Sequence, residues 1–118
     1  MKKILIIEDD NLIVKILDFI LKREGYETFI AKDGNDGIAK ISEILPDLII
    51  TDVMMPYKSG LEITGYAKKN FPKIPVIIVS ALGKEDSTVI EGFKLGVDDF
   101  IAKPFNPIEL VLRVKRFV

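Results

Sequence analysis

Four places in this chain carry side chains that could do chemistry together: the run Glu8-Asp9-Asp10, then Asp52, Ser80 and Lys103. Each follows a short apolar run. Carboxylates brought face to face repel one another, so one must protonate or a cation must bind. The chain has no Cys, no His and no Trp. That excludes a disulfide, a thiolate nucleophile, Cys-ligated zinc, an imidazole base and a Ser-His-Asp triad. The remaining ligands are oxygens, which suit a hard cation. Mg²⁺ is the natural choice because it takes one or two carboxylates, keeps waters and leaves room for phosphate oxygens. Mn²⁺ is a possible substitute. Lys103 could pair with Asp52 or with an incoming anion, and the Ser80 hydroxyl could donate to a phosphoryl oxygen.

The elements that must position these groups are readable from periodicity. Ile4–Ile7, Leu48–Thr51 and Val76–Val79 are apolar at nearly every position, as strands buried on both faces of a parallel sheet are. Runs 28–31 and 99–102 are more mixed and predict edge strands. Leu12, Ile13, Ile16, Leu17, Ile20 and Leu21 predict a first helix, capped by Asp10 or Asn11 and followed by Gly25. Ile38, Ile41 and Leu45 mark a second, stopped by Pro46. Residues 61–70 form a third, and Val89, Ile90 and Phe93 mark a fourth that ends near Gly96. The fifth spans 107–118, with Asn106 as cap and Pro107 at its first position. Strict strand–helix alternation predicts an α/β fold: a five-stranded parallel sheet in a three-layer α/β/α sandwich. Ligands of such sheets bind beyond the carboxyl ends of the strands, where all four groups fall.

Taken singly, these residues are ordinary. Asp10 can be a helix cap, Asp52 a turn residue and Lys103 a surface charge. Their conjunction at one sheet edge is what points to a site. After Asp52, Pro56 and Gly60 shape a turn that brings the Met54 carbonyl back towards Asp52. The Lys103–Pro104 bond could be cis or trans, a cis bond aiming Lys103 into the site.

With these residues in order, the chain resembles the receiver domain of two-component response regulators, the CheY-like superfamily. The resemblance is carried by Ile4 to Asp10, by Asp47 to Pro56 with Gly60, by Val79-Ser80-Ala81 and by Asp98 to Phe105, and it covers residues 1–118 as one domain. It implies the flavodoxin-like strand order 2-1-3-4-5. It implies that Asp52 is the phosphoacceptor in a Mg²⁺-dependent reaction. Asp9 and Asp52 would be direct metal ligands with the Met54 backbone carbonyl, and Glu8 would act through water. Ser80 would be the switch hydroxyl, Phe100 the switch aromatic, and Lys103 the contact to the phosphoryl group. Ser at 80 and Phe at 100 are ordinary variants of the pattern. The phosphodonor implied is a histidine kinase or a His-phosphotransfer protein. The chain would catalyse only its own phosphorylation and dephosphorylation, and so would not be an enzyme in the usual sense.

Two other readings stand beside this one: a Mg²⁺-dependent phosphohydrolase with an aspartyl intermediate, and an interaction module indifferent to phosphate. For output, Leu110, Val111 and Val114 form the inner stripe of the last helix, while Ile108 and Leu112 lie off it. With Leu95, Val97, Glu109, Arg113, Asp98 and Asp99 they suggest an interaction face on helix four, strand five and helix five. Receivers with winged-helix output domains pair through that face, so a homodimer enhanced by phosphorylation is expected. Val89 and Leu95 stand where those proteins carry charge, so this likeness is partial. With 17 Lys+Arg against 18 Asp+Glu, no nucleic-acid or membrane surface is expected. The apolar run before Glu8 is too short for a signal peptide, and the expected location is cytoplasmic.

Overall fold

The computed structural model describes residues 1–81 and 86–118, and the side chains of 86–88 are not among those described. Among the described residues five strands and five helices alternate. They are β1 (Lys3–Ile7), α1 (Asn11–Arg23), β2 (Glu27–Ala31), α2 (Gly34–Ile44), β3 (Leu48–Asp52), α3 (Gly60–Asn70), β4 (Val76–Ser80), α4 (Asp86–Lys94), β5 (Asp99–Ala102) and α5 (Pro107–Lys115). All strand pairs are parallel, in the order β2-β1-β3-β4-β5. This is the expected flavodoxin-like order, and the two mixed runs are indeed its edges. The Ile- and Val-rich strands β1, β3 and β4 lie in the middle because only there are both faces covered.

Alternation along the strands divides the core in two. Ile4, Ile6, Leu48, Ile50, Ile77 and Val79 point to one face, where Leu17 and Leu21 of α1 and Leu110 and Val114 of α5 cover them. Leu5, Ile7, Ile49, Val76 and Ile78 point to the other, under Ile41 of α2 and Ile63 and Ala67 of α3.

Four expectations need correction. The buried face of α1 is Val14, Leu17 and Leu21, whereas Leu12, Ile16 and Phe19 point to solvent. Apolar residues cover more than half the circumference of this helix, opposite Asn11, Lys15, Asp18 and Lys22, so periodicity could not single out which of them face inward. Leu45 does not continue the α2 stripe. It is the C-cap, in the left-handed region at φ 53, and is exposed. On α4, Ile90 and Phe93 are exposed, and Val97 after the helix is the buried residue rather than part of an outer face. Finally, α5 stops at Lys115, and Phe117 and Val118 fold back onto the core. The inner and outer sides of α5 are as expected, with Leu110 and Val114 buried and Ile108 and Leu112 exposed.

Residue-level burial makes the corrected α1 face testable. Leu17→Ala should lower the unfolding free energy by about 2–5 kcal/mol, while Leu12→Ala should change it by about 0.5 kcal/mol or less. Urea denaturation of both variants measures the difference, and equal losses would refute this orientation of the helix.

Candidate functional site

The sheet delivers its polar residues to one edge. Glu8 directly follows β1, and its amide still belongs to the sheet, donating to the Ala31 carbonyl at 3.0 Å. Asp52 ends β3, Ser80 ends β4 and Lys103 follows β5. One carboxylate oxygen each from Glu8, Asp9 and Asp52 lies within 4.8 Å of the others. Asp10, the third acid of the first loop, takes no part. Its carboxylate caps α1, accepting from the Leu12 amide at 2.9 Å and the Ile13 amide at 3.3 Å.

Lys103 enters this acidic edge from the far side. Its ammonium lies 2.7 Å from Glu8 Oε1 and 3.4 Å from Asp52 Oδ2. Glu8, not Asp52, is therefore its tighter partner in this structure. The Lys103–Pro104 bond is cis, and the Lys103 amide donates to the Ser80 carbonyl at 3.0 Å. The other Asp52 oxygen, Oδ1, accepts from the Val53 amide at 2.8 Å. Glu8 Oε2 accepts from the Asp10 amide at 3.2 Å. Each carboxylate of the pair thus has one oxygen pinned by backbone and one turned to the lysine.

The charges are mismatched, three negative against one positive. With one oxygen of each within 4.8 Å of the others, the carboxylates repel, most strongly where burial keeps water from screening them. The Glu8 side chain is almost wholly buried. Burial pushes its pKa above the ordinary value. The Lys103 and Asp10 hydrogen bonds pull the other way, and the Asp52 charge adds to the rise. For Lys103, burial acts to depress the pKa, but the Glu8 hydrogen bond and the Asp52 charge outweigh it and hold the ammonium above the ordinary lysine value. A cluster of oxygen donors with unbalanced negative charge fits a hard divalent cation.

The loop after Asp52 is tightly laid. Gly60 N–H donates to the Val53 carbonyl at 2.9 Å. A Cβ on Gly60 would fall 2.1 Å from the Asp52 carbonyl oxygen, so only glycine lets α3 begin there. Ser59 and Glu62 close a capping box on α3. Met54 lies two residues past Asp52 with its side chain in solvent.

Ser80 is buried at the end of β4, beside Ala102 in register. Phe100 is half-buried on β5 with its ring 5.4 Å from that of Phe93. It lies against Gly92, where an added Cβ would come within 2.6 Å of the ring. Ser80 and Phe100 therefore sit on adjacent strands, with Phe100 against α4.

The outer charges are arranged differently from the sequence reading, which grouped them as one interaction face. Asp99 is clamped within the chain by Arg113 at 2.9 Å and Arg116 at 3.3 Å, and Arg113 also holds Glu109 at 3.1 Å. Asp98 pairs with Lys68 of α3 at 2.7 Å and accepts from the Val76 amide. Arg113 and Glu109 are an i,i+4 pair on α5, but the partners of Asp98 and Asp99 lie 14–30 residues away, and nothing local signals them. Ile108 and Leu112 remain free on the surface, and they also line a shallow groove between α1 and α5 with Ile20 and Arg23.

The sequence profile of the response regulator receiver domain matches residues 4–115. Solved structures agree with it. The receiver domain of the Francisella response regulator 1452 is 35% identical, with 99% of this chain and 96% of that one covered at a TM-score of 0.91. The chemotaxis response regulator CheY4 of Vibrio cholerae is 28% identical over 100% of this chain and 99% of its own, with a TM-score of 0.93. A CheY-like response regulator receiver domain protein from Methanospirillum hungatei is 34% identical, covering 98% and 92%, with a TM-score of 0.92. Fold and sheet-edge site define an α/β receiver of two-component signalling. The chain belongs to the response regulator receiver domain family.

The raised pKa of Glu8 has a definite sign in stability. In metal-free buffer the folded chain binds this proton more tightly than the unfolded chain does. The contribution is therefore present at acidic pH and lost as pH rises through the folded value. Glu8→Gln removes it. The stability of wild type minus that of Glu8→Gln should grow as pH falls from neutral into the acidic range. A pH series of chemical denaturation checks this, and a difference that is flat or shrinks contradicts it.

Proposed function

We propose that this chain is a phosphorylation-dependent signalling switch that accepts a phosphoryl group on Asp52. The observation that carries the reading is the meeting of Asp52, Glu8, Asp9 and Lys103 at one sheet edge. A carboxylate is a competent nucleophile for phosphorus. Asp52 Oδ1 is occupied by the Val53 amide, which leaves Oδ2 on the lysine side as the attacking atom. A bond forms between Oδ2 and phosphorus while the bond from phosphorus to the donor breaks, and the donor leaves with that electron pair. Such transfer depends mainly on positioning and charge stabilisation. Lys103 supplies positive charge to the phosphoryl oxygens by turning from Glu8 towards them.

Asp9, Asp52 and the Met54 carbonyl would hold Mg²⁺, with Glu8 acting through water. The ion, when bound, neutralises the carboxylates and the charge on the transferring group. The donor is a histidine kinase or a His-phosphotransfer protein, the partners of receiver domains in general. The chain acts on itself, as phosphoacceptor and in dephosphorylation, and turns over no separate substrate.

The acyl phosphate carries roughly −1.5 to −2 charge if it titrates like other phosphorylated side chains, in place of the carboxylate's single negative charge. That charge draws the Ser80 hydroxyl, and Phe100 turns into the space left behind. The result is a repacked surface on α4, β5 and α5. Exposed Ile108 and Leu112 make this surface the candidate for homodimer formation. The clamps on Asp98 and Asp99 would have to exchange for those charges to pair between two copies. A cytoplasmic location accords with the donor class. Among the described residues no helix is long and apolar enough to cross a membrane.

With Mg²⁺ and acetyl phosphate, wild type should gain the mass of one phosphoryl group and Asp52→Asn none. Modification that survives Asp52→Asn, or steady turnover of a generic phosphate ester, would refute the reading. Sedimentation with and without beryllofluoride tests the dimer. A larger species with the mimic supports it, and identical monomer profiles contradict it.

A further inference from the structure

The loop joining β3 to α3 carries Met54 and lies against the start of α2, a helix that contributes no residue to the site described above. The Pro56 carbonyl accepts two amides, that of Lys58 at 2.9 Å and that of Gly34 at 3.0 Å. Gly34 is the first residue of α2. A Cβ placed on it would fall 2.1 Å from the Lys58 carbonyl oxygen and 2.4 Å from the Lys58 Cβ. No side chain fits there while the loop keeps its course. Resting on the reading of Asp52 and its neighbours as a Mg²⁺-dependent phosphoacceptor site, we propose that Gly34 is a positioning residue for that site. Its N–H holds the Pro56 carbonyl, and its missing side chain lets the Lys58 backbone pass, so α2 braces the loop that follows Asp52.

The brace is itself fixed. Asp33 caps α2, its carboxylate accepting from the Asp36 amide at 2.8 Å. Lys40 ties the first turn to the sheet, donating to Asp36 at 2.9 Å and to the Ile30 carbonyl of β2 at 2.7 Å. On the loop's other side, Gly60 meets the Asp52 backbone at a distance that also excludes a side chain. The loop is thus pinned at both flanks, by α3 through Gly60 and by α2 through Gly34. A displaced loop would move the Met54 carbonyl relative to Asp9 and Asp52. Disturbing groups that orient metal ligands commonly costs about 10–100-fold in affinity.

A neighbouring glycine provides the control. Gly37, one turn further along α2, also lacks room for a Cβ, but what it meets is the Ile7 side chain, at 2.8 Å from its tip. That contact belongs to the core and not to the loop. Gly37→Ala should lower thermal stability and leave Mg²⁺ affinity unchanged. Gly34→Ala should weaken Mg²⁺ binding about tenfold or more by calorimetric titration, and weaken beryllofluoride binding followed by fluorine NMR. If Gly34→Ala does not fold, Asp33→Ala decides. Loosening the first turn of α2 should weaken Mg²⁺ binding in the same direction, and wild-type affinity would overturn the inference. Equal Mg²⁺ affinity in wild type and folded Gly34→Ala, or an equal loss in Gly34→Ala and Gly37→Ala, would also overturn it. A wild-type chain that binds no Mg²⁺ would instead overturn the proposed function, and this inference with it.

Discussion

Mutual repulsion among three carboxylates at the carboxyl edge of the sheet is the constraint around which this protein is built. Glu8, Asp9 and Asp52 are gathered close enough to hold one ion, and Glu8 is almost fully buried. A fold that only had to be stable would not place them so. Lys103 reaches in from β5 to offset part of the charge, and its grip on Glu8 is tighter than its grip on Asp52. The arrangement is two positive charges short of balance. Oxygen donors with such a shortfall fit a hard divalent cation.

The rest of the fold serves this crowding. The three central strands are apolar on both faces, and their burial under helices supplies the stability that the site withdraws. Parallel pairing sends every strand to the same edge with its carboxyl end outermost, so residues 8, 52, 80 and 103 meet without any local sequence relation. Tight glycines then let the loop beyond Asp52 lie close against the neighbouring helices. On the output side, Phe100 rests on Gly92 and against Phe93, on the strand next to Ser80.

Much of this could be read from the chain itself. The strands were clear because Ile4–Ile7, Leu48–Ile50 and Val76–Val79 leave no polar side to face solvent. Glu8, Asp9, Asp52, Ser80 and Lys103 stood out because each interrupts or follows such a run at the same end. What escaped was decided by tertiary contact. The apolar residues of α1 occupy too many sides for a period of 3.6 to select Val14 over Leu12. Leu45 adopts a left-handed cap conformation that its residue type disfavours. The partners of Asp98, Asp99 and Glu8 are brought together by the sheet and α3 or α5, across separations that leave no trace in spacing. The demand for glycine at 34 comes from the Lys58 backbone lying against it, a contact that spacing does not encode.

The most direct test of the central claim is a crystal structure of the chain grown with Mg²⁺ and beryllofluoride. The account predicts the mimic bonded to Asp52 Oδ2, a cation among Glu8, Asp9 and Asp52, and the Lys103 ammonium moved from its 2.7 Å contact with Glu8 to the fluorides. An unmodified Asp52 with Lys103 still on Glu8 under saturating conditions would contradict it.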